Sequence, residues 1–329
     1  ISSETKRYIF TWVDAPDTSG ARNGVVDSGE VQDFTWNSSA STATIANSNY
    51  FYSYLNLYPS FSDRPTAIST VATTYPSLFN TFLLKQTERQ VKWLRGLDYT
   101  SSGVATPLSI SPIGDIPGTE LRSRYYKVGD NAKTWRLGDI VYSTPTLVAQ
   151  PAEAFQLLYK DASYTPFYQK YMDRRTVIYV GGNDGMLHAF NGGFYSSKES
   201  KFCRALNSSY DPYDANTTND EPCAATGPAL GAELWAYVPY NLLPHLYWLT
   251  NAEYGHSYYV DGKPRVFDAK IFTAEGVCTS DVADAGCIHP NGWGTVMVVG
   301  MRLGGATINA DLDKTDGTAI QSTDPLMKS

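Results

Sequence analysis

Thr176-Val-Ile-Tyr-Val-Gly-Gly-Asn-Asp-Gly-Met-Leu-His-Ala-Phe190 places two short apolar runs on either side of a turn. The first run, Thr176–Gly181, is rich in β-branched and aromatic residues, which suit a pleated, half-buried surface. Asn183-Asp-Gly185 supplies the turn, because glycine accepts φ > 0 without steric cost, and Met186–Phe190 reads as the returning strand. The pattern recurs. Thr295-Val-Met-Val-Val-Gly300 repeats Thr176–Gly181 at a distance of 119 positions (295 − 176), again followed by a Gly-containing turn and a short strand, Ala306–Ala310. A strand–hairpin–strand unit recurring at a fixed distance is the pattern of propeller blades. The expected fold is therefore mainly β: β-propeller-like blades of antiparallel strands, forming an incomplete propeller, with inserted loops and a few helices. The spacing is long for one blade, so the excess is read as insertions. A sandwich of hairpins is the other architecture such a repeat allows.

Outward from this hairpin, Asp139-Ile-Val-Tyr-Ser-Thr-Pro-Thr-Leu-Val148 and Glu233-Leu-Trp-Ala-Tyr-Val238 read as further strands, with Pro145 at a bulge or an edge. Tyr8–Val13 and Val31–Trp36 read as strands near the start, joined by an Asp/Gly loop. Residues 37–75 are rich in Ser, Thr, Asn and Tyr without a steady period, and read as irregular. From 77 to 95 the pattern turns helical, with Leu78, Phe82, Val91 and Leu94 on one face and Gly96 placed to end it. Pro107, Pro112 and Pro117 make 98–134 read as loop. This divides the chain into an N-terminal region, 1–134, and propeller-type blades over 135–329, continuous with it.

A net charge of −7 and a pI near 5.1 give no electrostatic footprint for nucleic acid or an anionic membrane. No run of eighteen apolar residues is present, so no membrane span is expected in this chain. Neither a basic leader nor an apolar targeting core opens it, and both ends read as cuts in a longer or processed polypeptide. The four cysteines form two local pairs, Cys203/Cys223 and Cys278/Cys287, each flanking a polar or small-residue stretch. Zinc sites usually need C-x-x-C or clustered His, which are absent, so two disulfides in an oxidising compartment are expected.

Several of these segments resemble the PilY family of type IV pilus factors. The resemblance rests on Trp135-Arg-Leu-Gly-Asp-Ile-Val-Tyr-Ser-Thr-Pro145, followed by Arg175–Phe190, Gly231-Ala-Glu-Leu-Trp-Ala-Tyr-Val-Pro239, His256-Ser-Tyr-Tyr-Val-Asp-Gly262 and Trp293-Gly-Thr-Val296. Upstream, Leu94-Arg-Gly96 and Arg122-Ser-Arg124 sit where that family has such motifs. The match runs from about Val91 to Gly305. It implies the C-terminal propeller of a non-enzymatic surface protein at the pilus tip, exported through the periplasm. Such a protein acts in pilus assembly, extension and retraction and in adhesion, with minor pilins or the pilus tip complex as partners and a host or surface target. Two departures stand out: Gly300-Met-Arg-Leu-Gly-Gly305 is less glycine-rich than the family pattern, and Asp311-Leu-Asp313 replaces a more hydrophobic strand end.

The loop Asp14–Glu30 is the candidate metal site. Asn23-Gly-Val-Val-Asp-Ser-Gly-Glu30 matches the later half of an EF-hand-like calcium loop, in which a carbonyl follows the sharp glycine turn and a bidentate Glu closes the sphere. The expected Ca2+ ligands are Asp27, Glu30, Asn23 and the Val25 carbonyl, with Asp14 or Asp17 completing them. A solvated acidic turn is the competing reading. Asp311-Leu-Asp-Lys-Thr-Asp-Gly317 has no closing carboxylate and reads as a surface turn. His188, His245, His256 and His289 show no metal-ligand spacing; His188, on an apolar strand, reads as a hydrogen-bonded core residue, and His256 as joining the core beside Tyr254 and Tyr258. Serine-hydrolase, P-loop and dinucleotide fingerprints are absent. The alternatives to a pilus protein are a quinoprotein-type propeller dehydrogenase and a secreted carbohydrate-binding propeller. Adjacent cysteines, common in quinone-cofactor alcohol dehydrogenases, do not occur here.

Overall fold

The Thr176–Gly181 and Leu187–Ser196 strands pair antiparallel across the Asn183-Asp-Gly185 turn, where Gly185 adopts φ +83° and its N–H donates to the Gly182 carbonyl. In the computed structural model, residues 6–14, 26–37, 42–43, 66–101, 104–196, 198–207, 223–252, 254–273, 286–304, 309–311 and 326–328 are described. The chain is mainly β, with several small antiparallel sheets and few helices. The largest sheet runs in the order Thr146–Val148, Thr176–Gly181, Leu187–Ser196, Glu233–Val238, Ile9–Trp12, Val31–Asp33, with Lys201–Cys203 on the far end of Leu187–Ser196. Its pairs are antiparallel except one: Ile9–Trp12 lies parallel to Glu233–Val238, with Ile9 opposite Ala236. The expectation of purely antiparallel strands fails at this point, where a segment from the start of the chain caps the edge that Glu233–Val238 would otherwise leave unpaired.

The sequence repeat is a repeat of register. Thr146, Leu147 and Val148 pair with Tyr179, Ile178 and Val177. Arg265, Val266 and Phe267 pair with Val298, Met297 and Val296, every partner shifted by the same 119 positions. Pro145 and Pro264 stand immediately before the first strand of each pair, where a missing N–H costs no ladder bond. The turn bond recurs too, with Gly304 N–H donating to the Met301 carbonyl at 2.8 Å. Thr176–Gly181 and Trp293–Val298 do not pair with each other. Instead, corresponding ends of the two hairpins meet. Tyr142 N–H donates to Asp261 Oδ1 at 3.0 Å, and Thr146 Oγ1 donates to the Pro264 carbonyl at 2.9 Å. Among the described residues the strands close into neither a barrel nor a complete propeller ring.

The helix spans Pro76–Leu94 and stops as its sequence requires: Gly96 takes φ +111° and donates its N–H to the Trp93 carbonyl. It buries Phe82, Leu83, Val91, Trp93 and Leu94, but also Gln86, Thr87, Arg89 and Gln90, so it is enclosed more fully than an amphipathic stripe suggests. Their donors find partners nearby, as Gln86 Nε2 and Arg89 Nη2 donate to the carbonyls of Thr119 and Thr106, while the side-chain oxygens of Gln86 and Gln90 are buried without one. The acceptors come from segment 98–134, which is not the loop its prolines suggested. It holds three hairpins: Thr100–Ser101 with Val104–Ala105, Leu108–Ile110 with Gly114–Ile116, and Tyr125–Val128 with Asn131–Thr134. Pro107 and Pro117 flank the middle hairpin and Pro112 sits in its turn, positions that need no ladder donor. Within 37–75, Trp36–Asn37 pairs with Thr42–Ala43 and a helix covers Thr66–Thr74; 44–65 lies outside the described residues.

Cys203 and Cys223 form a disulfide, with Cα atoms 5.1 Å apart. Cys287 is also disulfide-bonded, while Cys278 lies outside the described residues. No helix among the described residues is long and apolar enough to cross a membrane.

Candidate functional site

The Asp/Gly loop is the connection between two adjacent strands, Ile9–Trp12 and Val31–Asp33, so its ends are held side by side. Val13 N–H donates to the Glu30 carbonyl at 3.0 Å, which brings Asp14 next to the Asp27–Glu30 turn. Gly29, at φ +88°, makes that turn possible. Glu30 is buried, and its Oε2 accepts from Trp12 Nε1 at 3.1 Å and from the Asp27 N–H at 2.8 Å. Of the expected calcium ligands, Asp14, Asp27 and Glu30 thus lie at the two ends of the loop that the strands hold side by side. Asp17, Asn23 and Val25 lie outside the described residues. The donor chemistry suits a hard cation, since carboxylates and carbonyls are what calcium takes. Glu30 would have to exchange at least part of its contact with Trp12 and Asp27 to bind bidentately. No cluster of three His, Cys, Asp or Glu able to hold a metal occurs among the described residues.

A second polar assembly lies behind the Asn183-Asp-Gly185 turn. The parallel pairing of Ile9–Trp12 with Glu233–Val238 carries Arg7 to Glu233. Arg7 Nε and Nη2 donate to Oε2 and Oε1 of Glu233 at 2.7 and 2.9 Å, a two-pronged charge-assisted contact. Its Nη1 donates to the carbonyls of Leu94 and Arg95, at the helix C-terminus where a cation is favoured. His188 Nδ1 meets Glu233 Oε1 at 2.8 Å, and Nε2 meets Asp184 Oδ1 at 3.1 Å. Asp184 Oδ2 accepts the Gly138 N–H at 2.9 Å. The result is a buried chain of alternating charge: Arg7, Glu233, His188, Asp184.

Burial alone would push the His188 imidazole toward neutrality. The charges and hydrogen bonds of Asp184 and Glu233 override it and raise its pKa to about 9. Burial works against both carboxylates as well. His188 and the Gly138 N–H lower Asp184 to about 2, and His188 with Arg7 lowers Glu233 to about 2. The ring is 0% exposed and each nitrogen faces a carboxylate, so His188 has no access to a substrate. Reading it as a hydrogen-bonded core histidine was right, although nothing near it in sequence announced Arg7 or Glu233. The other histidines are packed differently. His245 meets the Tyr259 ring edge-on, and His289 stacks on Phe272 at 4.1 Å. His256 is not in the core as expected; it is exposed, bound to Asp139 Oδ2 at 2.8 Å.

In front of this chain opens a cleft of about 420 Å³, lined by Arg122, Arg124, Arg136, Trp135, Asp139 and Asp184 among others. The segments that carry the family resemblance, Arg122–Arg124, Trp135–Asp139 and Asn183–Asp184, converge here from three separate parts of the chain. Arg136 Nε donates to the Gly96 carbonyl at 3.0 Å, and Arg124 Nη1 to the Trp93 carbonyl at 3.1 Å. Arg122 lies between the rings of Trp93 and Tyr254, 5.3 and 4.4 Å from their centroids. Sequence reasoning did not identify this cleft, because its walls are assembled by long-range packing.

No protein-family model matches the chain, and no solved structure matches it. Among curated proteins it is 28% identical over 277 residues to a type IV pilus biogenesis factor PilY1 homolog of Xylella fastidiosa, covering 80% of this chain and 16% of that protein. It is also 28% identical over 206 residues to type IV pilus biogenesis factor PilY1 of Pseudomonas aeruginosa, covering 58% of this chain and 12% of that protein. The matches thus span at most 16% of the length of these two relatives.

Proposed function

This chain is a relative of the PilY family, and from that relationship we propose that it is a non-enzymatic module of a type IV pilus-associated surface protein. It acts in pilus assembly and retraction control and in adhesion, from the cell surface or pilus tip, in contact with minor pilins or the tip complex. The observation that carries this reading is the similarity over four-fifths of the chain to a protein named for type IV pilus biogenesis. The enclosure of His188, with both ring nitrogens on buried carboxylates, supports a role without catalysis.

The two hairpins are blades of a propeller in this reading. A rotation that carries one blade onto the next keeps strand register and brings corresponding positions together near the axis. The shared register at 119 positions and the Tyr142–Asp261 contact both support it, because residue 261 is the counterpart of residue 142.

Ca2+ is the ligand of the Asp14–Glu30 loop, held by Asp27, Glu30, Asn23, the Val25 carbonyl and Asp14 or Asp17. The position of Asp14, Asp27 and Glu30 at the paired ends of the loop supports it, since carboxylates are the hard oxygen donors that calcium takes. Calorimetry on the chain should show calcium binding that Glu30→Ala weakens about tenfold or more, Glu being the bidentate ligand. Equal binding by both proteins, or none by the wild type, removes the calcium site. Deleting the gene that encodes this chain in its own bacterium, and counting surface pili, tests the wider role. Unchanged piliation and unchanged twitching would overturn it.

A further inference from the structure

The cleft in front of Asp184 has an uneven charge inventory. Its carboxylates have partners: Asp184 is bound to His188, and Asp139 to His256 and to Asn183 Nδ2. Its guanidinium groups make no hydrogen bond to an acid among the described residues. None of Arg122, Arg124 and Arg136 forms an ion pair among the described residues, and their hydrogen bonds go to backbone carbonyls or are missing. Arg122 Nε is buried without a hydrogen-bond partner. A buried guanidinium N–H left unmatched is costly, and burial lowers the Arg124 pKa to about 9, which still leaves it charged at neutral pH. Three guanidinium groups in the lining of a concave site therefore lack a hydrogen-bonded acid, with Asp139 and Asp184 acting on Arg122 and Arg124 only through space.

The remaining walls narrow the choice. Trp135 is 60% exposed at the mouth, with its ring edge-on to Tyr126 at 5.5 Å, so it offers an open aromatic face. Asp139, its pKa kept low by hydrogen bonds from Asn183 and His256 despite some burial, is an ionised acceptor suited to hydroxyl donors. A dianion such as phosphate would meet repulsion from the ionised Asp139. A ligand with one negative charge, several hydroxyl groups and a flat apolar face meets every wall favourably. The volume of about 420 Å³ lies within the range of small-ligand pockets and accommodates a single sugar ring.

We propose that this cleft binds a carboxylated saccharide, with the carboxylate on Arg122 and Arg136, the sugar ring on Trp135 and a hydroxyl on Asp139. The assignment does not depend on the pilus reading, since it uses only the cleft's own residues. The test is calorimetry on the intact chain with D-glucuronate, D-glucose, inorganic phosphate and a triglutamate peptide as probes. Glucuronate should bind at least about tenfold tighter than glucose, the carboxylate contributing one or more charge-assisted hydrogen bonds. Arg136→Gln should reduce that affinity about tenfold by the same reasoning, and Trp135→Ala about fivefold, for a stacking contact. Both side chains lie at or near the surface, and an unchanged melting temperature shows that the variants are folded. Arg136→Lys, which keeps the charge and loses the planar fork, should recover only part of the loss. Equal binding of glucose and glucuronate, phosphate binding as tight as glucuronate, tighter binding of triglutamate, or no binding of glucuronate would each overturn the proposal. The third of these outcomes would make the cleft a peptide site.

Discussion

The two hairpins share a register yet are stabilised by different chemistry. In the first, Thr176–Gly181 with Leu187–Ser196, the interior polar groups form a chain of full charges running from Arg7 to Asp184. In the second, Arg265–Lys270 with Trp293–Val298, the buried carboxylate of Asp268 is met by hydroxyl groups. Tyr164 donates to one oxygen at 2.6 Å and Thr295 to the other at 2.7 Å. Trp293 there packs edge-on against Tyr164, within a small aromatic cluster that includes Phe167. Register is therefore specified locally, by alternation and the turn, and can be reused. Polar anchoring is specified by whatever distant segment packs behind each copy.

The sharpest way to break the first anchor is His188→Leu, which leaves Asp184 and Glu233 buried with one cation fewer. We expect a loss of about 3–5 kcal/mol in urea unfolding, the range for breaking a buried pair. A smaller effect than that of Tyr164→Phe would show that the charge chain is not the anchor. The same residue sets the pH profile. His188 is raised from 6.5 to about 9, so its contribution is complete below pH 6.5 and lost as pH rises through 9. Asp184 and Glu233 are lowered from 3.8 and 4.5 to about 2, so their contribution is present above pH 4.5 and lost as pH falls through 2. Stability should peak between pH 4.5 and 6.5 and decline on the alkaline side. That alkaline decline should flatten in His188→Leu; if it persists unchanged, another group is responsible.

The insertion after the first hairpin gives the next effect. Replacing Cys203 and Cys223 by serine should cost about 2–4 kcal/mol, the usual range for opening a loop of this size. Non-reducing peptide mapping should find Cys203 joined to Cys223, and a different partner would withdraw the prediction. The smallest effect is expected in the second hairpin. Tyr164→Phe removes a hydroxyl from Asp268 and should cost about 1.5–2 kcal/mol, as for a hydrogen bond to a charged group. A cost matching that of His188→Leu would erase the contrast between the two copies.

What was legible in the sequence was what neighbours in sequence decide. The Asn183-Asp-Gly185 turn, the helix end at Gly96 and the Cys203–Cys223 pair each depend on a few nearby residues, and each is found where expected. The hairpins of 98–134 were misread because prolines that break a strand interior also mark strand ends and turns, and spacing alone does not separate the two cases. The partners of His188 and the walls of the arginine cleft come from segments far apart in the chain, and no local pattern encodes which of them will meet. Of the expected calcium ligands, Asp14, Asp27 and Glu30 are among the described residues, and the two loop ends meet because the strands that flank them pair.

The parallel pairing of Ile9–Trp12 with Glu233–Val238 has a mechanical consequence. The two strands point the same way, so tension applied to the chain before residue 9 and after residue 238 pulls them in opposite directions along their length. The hydrogen bonds between them are then loaded together in shear, rather than opened one at a time like a zipper. Arg7 and Glu233 lie at the end where the first strand is loaded and add a two-pronged ionic clasp. The chain between residues 9 and 238, including the first hairpin, is shielded from that tension until the clasp slips. Single-molecule stretching from the two ends should show one high-force event that Glu233→Gln lowers; gradual extension at low force would rule the clasp out.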